Sequence, residues 1–127
     1  HRLIRRQRQM CIRDRDICLL ENPKNDGCDL VDIVYVLYRC SLETQYKRKN
    51  IIKYLDNIYD LLLSHYFSKE GGFSYFLNKS QTNYYGVKIS NGENTPDIHG
   101  TLLLTWAVAM IDKIFNLDNS SLNIIKP

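Results

Sequence analysis

Thr95-Pro96-Asp97-Ile98-His99-Gly100-Thr101-Leu102-Leu103-Leu104-Thr105-Trp106-Ala107-Val108-Ala109-Met110-Ile111-Asp112-Lys113 opens on turn and cap residues and then stays apolar almost all the way round. Thr95 as N-cap with Pro96 at the first helical position predicts a helix start, because proline has no N–H to leave unsatisfied there. Leu102, Leu103, Leu104, Trp106, Ala107, Val108, Met110 and Ile111 leave no polar face. Asp112 and Lys113 mark the exit, and residues 116–121 end the helix, whose expected span is 97–115. A helix that is apolar on every side needs neighbours on every side. That requirement decides the fold. The run 98–111 without Asp, Glu, Lys or Arg is 14 residues long. Crossing a bilayer takes about 20, so no membrane span is expected.

Two more helices are legible upstream. Over residues 45–67, Ile51, Ile52, Leu55, Ile58, Tyr59, Leu62 and Tyr66 recur at helical spacing, with Lys49, Lys53, Asp56, Asp60 and Ser64 opposite. This predicts an amphipathic surface helix near 46–66. Before it, Asn22-Pro23-Lys24-Asn25-Asp26-Gly27 is a loop, and Asp29 can cap a helix over 29–41. Leu30, Val31, Ile33, Val34, Val36 and Leu37 cover more than one of its faces, as a buried element requires. Its β-branched content fits a strand by periodicity alone; length and the acidic cap favour helix. Residues 68–95 are different. Gly71, Gly72, Gly86 and Gly92 punctuate Phe73, Tyr75, Phe76, Tyr84 and Tyr85 without helical period. They predict an irregular segment over the helix ends, with short strand pieces at 73–75 and 85–89. A loop of this length in a compact domain usually carries function. The fold class is therefore all-α, with the first and third helices more buried than the second. Two all-apolar helices and one amphipathic helix cannot satisfy each other, so further helices are expected before Asp16.

The segment Glu70-Gly71-Gly72-Phe73-Ser74-Tyr75 after an outer helix, then Pro96-Asp97-Ile98-His99-Gly100-Thr101 at the head of a buried one, resembles the α/α-toroid superfamily. Terpenoid cyclases, protein prenyltransferase β-subunits and related helical toroids belong to it, and in that group an acidic-Gly-Gly-Phe turn leads from an outer helix through a loop into an inner helix. The resemblance covers residues 29–115, a fraction of a ring of about ten to twelve helices. It implies that 16–127 is the C-terminal part of a toroid whose remainder lies upstream. It also implies a pocket where the inner helices begin, taking an isoprenoid or shielding a carbocation. No Asp-rich acid motif of a squalene-type cyclase is present, nor an Asp/Cys/His set in zinc-ligand order, so neither a metal nor a cofactor is implied.

Residues 1–15 stand apart. They hold six of the 17 basic side chains and one of the 14 acids, which leaves 11 bases against 13 acids in 16–127. The net charge of +3 thus sits in the head of the chain, and nucleic-acid binding is not expected of the body. Gln9-Met10-Cys11-Ile12-Arg13-Asp14-Arg15 resembles the translation of a transposase-type sequencing adapter, a scar to be set aside before reasoning about the fold. The alternative is a basic amphipathic arm for RNA, anionic lipid or a partner. On the adapter reading, residues 1–15 make few contacts with the body. Cys18, Cys28 and Cys40 then remain, an odd number at loose spacing, which suits reduced, packed thiols in the cytoplasm rather than zinc.

Few residues carry chemistry. Asp97 and His99 at a helix start can form a general acid–base pair, helped by free N–H groups and the dipole end. Alternatively Asp97 caps the first turn and His99 hydrogen-bonds across the ring. Asp29 and Asp32, one helical turn apart, can bind a sugar or metal or serve glycoside chemistry; the dipole alone also favours two acids there. Tyr84 and Tyr85, with Phe73, Tyr75 and Trp106, can line a pocket for a prenyl chain, a sugar ring or a cation, beside polar Gln81-Thr82-Asn83. No phosphate-binding Gly-rich loop, G-x-S-x-G or H-E-x-x-H is present. The expected function is a small-molecule pocket of the terpenoid-cyclase or prenyltransferase type. The alternatives are a carbohydrate-active helical barrel, glycosidase- or lyase-like, and a non-catalytic binding toroid.

Overall fold

The computed structural model describes residues 2–20, 22–43 and 47–116, with side chains from Arg5 onward. Four helices follow one another among them: α1 (Arg2–Leu20), α2 (Gly27–Glu43), α3 (Arg48–Ser64) and α4 (Ile98–Phe115). Between α3 and α4 lie two small antiparallel hairpins, β1 (Tyr66–Phe67) with β2 (Gly72–Phe73), and β3 (Asn83–Tyr84) with β4 (Val87–Lys88). The chain is all-α. The start expected near residue 46 for the middle helix, and residues 117–121 of the stretch expected to end the last one, lie outside the described residues; α3 is described from Arg48 and α4 ends at Phe115.

Helix α2 begins two residues earlier than its sequence suggests. Asp26, not Asp29, supplies the cap: its Oδ1 accepts from the Asp29 N–H at 2.8 Å. Asp29 turns its own carboxylate back to the Lys24 N–H. Leu30, Val31, Ile33, Val34, Leu37, Cys40 and Ser41 are buried because α1, α3 and α4 all pack on α2. Helix α3 contributes the narrower seam of Ile51, Leu55, Ile58 and Leu62, at i, i+4, i+7 and i+11. Ile52 is half-buried, while Tyr59 and Tyr66 are exposed.

Helices α2 and α4 run parallel. Gly27 packs against the Tyr75 ring and Leu103, and further along Tyr35 meets Trp106 with ring centroids 5.6 Å apart. Helix α3 returns in the opposite direction. Its first turn reaches the far end of α4 through Arg48 and the Ile114 carbonyl, and His65 at its C-terminus is held by Ser74. On α4, Leu104, Ala107, Met110, Ile111 and Ile114 join the core. The opposite side is open, contrary to the expectation of neighbours all round: Ile98 is 90% and Leu102 67% exposed. By length and mean hydropathy α4 passes the test for a membrane-crossing helix, because it continues through Asp112 and Lys113, beyond the uncharged run. A core helix of a globular fold has the same length and composition, and α4 also supplies core residues.

Residues 5–10 of α1 are exposed. In the following turns Arg13, Asp14, Ile17 and Leu20 are exposed too, but one stripe is covered, contrary to the sparse contacts expected of residues 1–15. Cys11, Arg15 and Cys18 fall on one helical stripe that lies on α2, and Arg15 is fully buried, its guanidinium donating to the Cys40 carbonyl. Burial lowers the Arg15 pKa and pushes the Cys40 thiol up to about 12. Helical continuity accounts for the stripe: once Cys18 and Leu19 pack, the residues one and two turns before them follow.

Candidate functional site

The two segments that carry the toroid resemblance are clasped together. Gly71, at φ +75°, closes the first hairpin through its N–H to the Phe67 carbonyl at 2.8 Å. Phe73 then faces the head of α4. Its N–H donates to Thr101 Oγ1 at 3.0 Å, and its carbonyl accepts from the Asp97 N–H at 3.0 Å and from the Thr101 hydroxyl at 3.2 Å. Asp97 is the N-cap of α4, two positions past the cap expected at Thr95. Its Oδ1 accepts from the Gly100 N–H at 2.6 Å, and its Oδ2 from the N–H groups of Tyr75 at 2.8 Å and Gln81 at 3.2 Å. One carboxylate therefore ties three backbone segments to one point. Gly100 makes the approach possible: a Cβ there would lie 2.4 Å from the Tyr75 backbone nitrogen.

Above the clasp a cleft of about 550 Å³ opens between α4 and the second hairpin. Pro96, Ile98 and Leu102 border it on the helix side, with Thr95, Asp97 and His99. Tyr84 and Ile89 border the other side, with Ser80, Gln81 and Ser90. The hairpin turns on Tyr85 and Gly86, both at positive φ (49° and 79°), the two-residue turn that matches the strand twist. Its root is fastened by Ser90, whose hydroxyl donates to the Gln81 carbonyl at 2.6 Å and lies 3.0 Å from Ser80 Oγ. The mouth of the cleft is open to solvent.

His99 is held on three sides. Its ring stacks on Tyr75 at 5.1 Å and 16°, and meets Tyr84 edge-on at 5.2 Å and 73°. Its Nδ1 lies 2.6 Å from Gln81 Oε1. An amide oxygen only accepts, so this contact fits the tautomer with the proton on Nδ1, in which the lone pair lies on Nε2. That nitrogen makes no hydrogen bond among the described residues and is not one of the buried unpartnered atoms, so it is open to solvent. Asp97 and His99 thus share the cleft without bonding to each other. The carboxylate holds the backbone, and the imidazole keeps an open acceptor.

The other candidates divide. Tyr84 borders the cleft; Tyr85 packs edge-on against it at 4.6 Å but is 91% exposed and is not among the bordering residues. Asp29 and Asp32 lie at the head of α2, away from the cleft lining. Lost solvation raises the Asp32 carboxyl, and the charges of Asp29 and Asp26 add to it. Phe73 and Tyr75 are buried, and Trp106 is half-buried against Tyr35. Burial and the Cys28 thiol keep the Tyr75 phenol protonated well above its ordinary range. The four cysteines are unpaired by disulfides, with Cys40 buried and Cys28 exposed. No cluster of three His, Cys, Asp or Glu side chains suited to a metal occurs among the described residues. Sequence reasoning missed Ser80 and Ser90, which only the hairpin register brings together, and the cleft-facing use of Ile98 and of Leu102, the second of which read as core. Set against models of protein families, curated proteins and solved structures, the chain matches none.

Proposed function

We propose that the chain is a segment of an α/α toroid, similar to terpenoid cyclases and prenyltransferase β-subunits, and that the cleft at the head of α4 binds a small molecule with an apolar, isoprenoid-like body. One observation carries this reading: Ile98 and Leu102, on the helix that supplies the core, are exposed into a cleft whose other wall is Tyr84 and Ile89. An apolar ligand seated there covers side chains that otherwise meet water, at about 25 cal/mol per Å² buried. The directly packed α2 and α4, with α3 running back between them in chain order, also suit a toroid segment, inner helices alternating with an outer one. Asp97, already bound to three backbone N–H groups, serves as architecture, and His99 is the group left for a ligand or a proton.

A carbohydrate is the second reading. It is favoured by the open mouth and by Gln81, Ser90, Thr95 and His99 around the Tyr84 ring. A pair of carboxylates for glycoside chemistry is not part of it, because Asp97 alone of the acids borders the cleft. Calorimetric titration of the chain with geraniol and with cellotriose separates the two. We expect saturable binding of geraniol that Leu102→Asp abolishes while helix content by circular dichroism is unchanged. Binding of cellotriose alone transfers the site to the carbohydrate reading, and binding of neither ligand ends the proposal.

A further inference from the structure

We infer that the ligand of this cleft ends in an uncharged hydroxyl that donates to His99 Nε2, with Gln81 as the positioning residue that fixes the ring's tautomer. This rests on the cleft reading above. Three observations lead to it. First, no Lys or Arg borders the cleft, and its one acid is Asp97. A diphosphate or carboxylate end would be placed beside a like charge with nothing to offset its lost hydration.

Second, the head of α4 already carries the Asp97 carboxylate, which competes with an incoming anion. The Gly100 N–H is taken by the Asp97 carboxylate and the Thr101 N–H by the Asp97 carbonyl. The N–H groups of Ile98 and His99 are the first-turn donors that remain, and the carboxylate of the cap places a negative charge beside them that opposes a second anion. Third, Gln81 holds the Nδ1 proton and the two tyrosine rings fix the imidazole plane, so the open position at Nε2 is an acceptor. An acceptor in a largely apolar cleft without cations takes a donor rather than an anion, and a hydroxyl donates there without the cost of desolvating a full charge. A hydroxyl seated there satisfies Nε2, and an ether or hydrocarbon end leaves it unmet.

Two readouts test this on the full chain. Nitrogen-15 chemical shifts of the His99 ring, taken at a pH where the ring is neutral, report the tautomer without any ligand. The Nδ1–H form should dominate. Titration with geraniol and geranyl diphosphate then compares the two ends on one apolar body. Geraniol should bind at least tenfold more tightly. Gln81→Leu should weaken geraniol about fivefold and release the tautomer to a mixture. Gln81→Glu, which keeps an acceptor at the same place, should restore the Nδ1–H form. A dominant Nε2–H form, or tighter binding of the diphosphate, overturns the inference while leaving the cleft as a ligand site. Failure of both isoprenoids to bind overturns the cleft reading and this inference with it.

Discussion

The clasp and the hairpin arm sit on opposite sides of one cleft and are built on opposite principles. In the clasp, Phe73–Tyr75 and Asp97–Thr101, backbone donors and acceptors are exchanged at close range around a buried aromatic and a glycine that admits no side chain. In the arm, residues 83–88, two residue pairs are bridged by a tight turn, and Tyr84, Tyr85 and Val87 are all exposed. A hairpin of that size is marginal in water by itself, and its root at Ser80 and Ser90 is what keeps it in place. The pairing sets a firm floor against a yielding wall, which lets a cleft keep its chemistry while adapting to a ligand.

Substitutions that differ only in which side they strike should separate the two. Gly100→Val drives a branched side chain into the Tyr75 backbone, where even a Cβ would lie at 2.4 Å, and should cost at least about 3 kcal/mol in urea unfolding. Gly86→Ala meets open space and carries only the strain of its positive φ, so about 1 kcal/mol is expected. Asp97→Ala should cost about 2–4 kcal/mol, because it leaves three backbone N–H groups without their acceptor. Amide exchange at Tyr75 and Gly100 should quicken with it, while exchange in the middle of α2 stays as it was. If Asp97→Ala is as mild as Gly86→Ala, the distinction between floor and wall collapses.

Smaller effects sharpen the picture. Tyr85 occupies a left-handed position that asparagine tolerates far better, so Tyr85→Asn should stabilise the chain by up to about 1 kcal/mol in thermal unfolding. The effect of Asp32 has the opposite origin. Its carboxyl is raised in the folded state, so the folded chain prefers it protonated. Stability from this source is greatest at low pH and declines as pH climbs through the ordinary value of 3.8 toward the raised one. Asp32→Asn escapes that decline. Its melting temperature should exceed the parent's slightly at pH 7 and match it below pH 3; the difference is small because Asp32 is exposed, which limits both its lost solvation and the repulsion from Asp29 and Asp26.

Much of the helical framework was legible because periodicity reports burial directly. The seam of Ile51, Leu55, Ile58 and Leu62 and the crowded faces of α2 follow from spacing alone. The helix starts shifted because a carboxylate two or three residues away from the expected cap reached the N3 amide better, Asp26 on α2 and Asp97 on α4. The exposed flank of α4 was not legible, since Ile98 and Leu102 have the same composition as buried leucines and only the course of the hairpin shows what faces them. Within the site, Asp97, His99 and Tyr84 could be picked out as residue types. Their division of labour could not, because it depends on Tyr75, Gln81 and Gly100 arriving from three separate segments. Arg15 shows the converse: an adapter-like run has no apolar pattern to read, yet the helix continuing from Cys18 carries a guanidinium into the seam on α2.

The central claim is that a ligand lies between the arm and the head of α4, and hydrogen–deuterium exchange with and without geraniol tests it most directly. With geraniol bound, amides of residues 83–88 should exchange at least tenfold more slowly, while those of Phe73, Tyr75 and Gly100, already locked in the clasp, should be unchanged. Protection that leaves the arm untouched, or that appears instead along the groove between α1 and α3 at Asp16, Lys47 and Tyr54, would contradict the account.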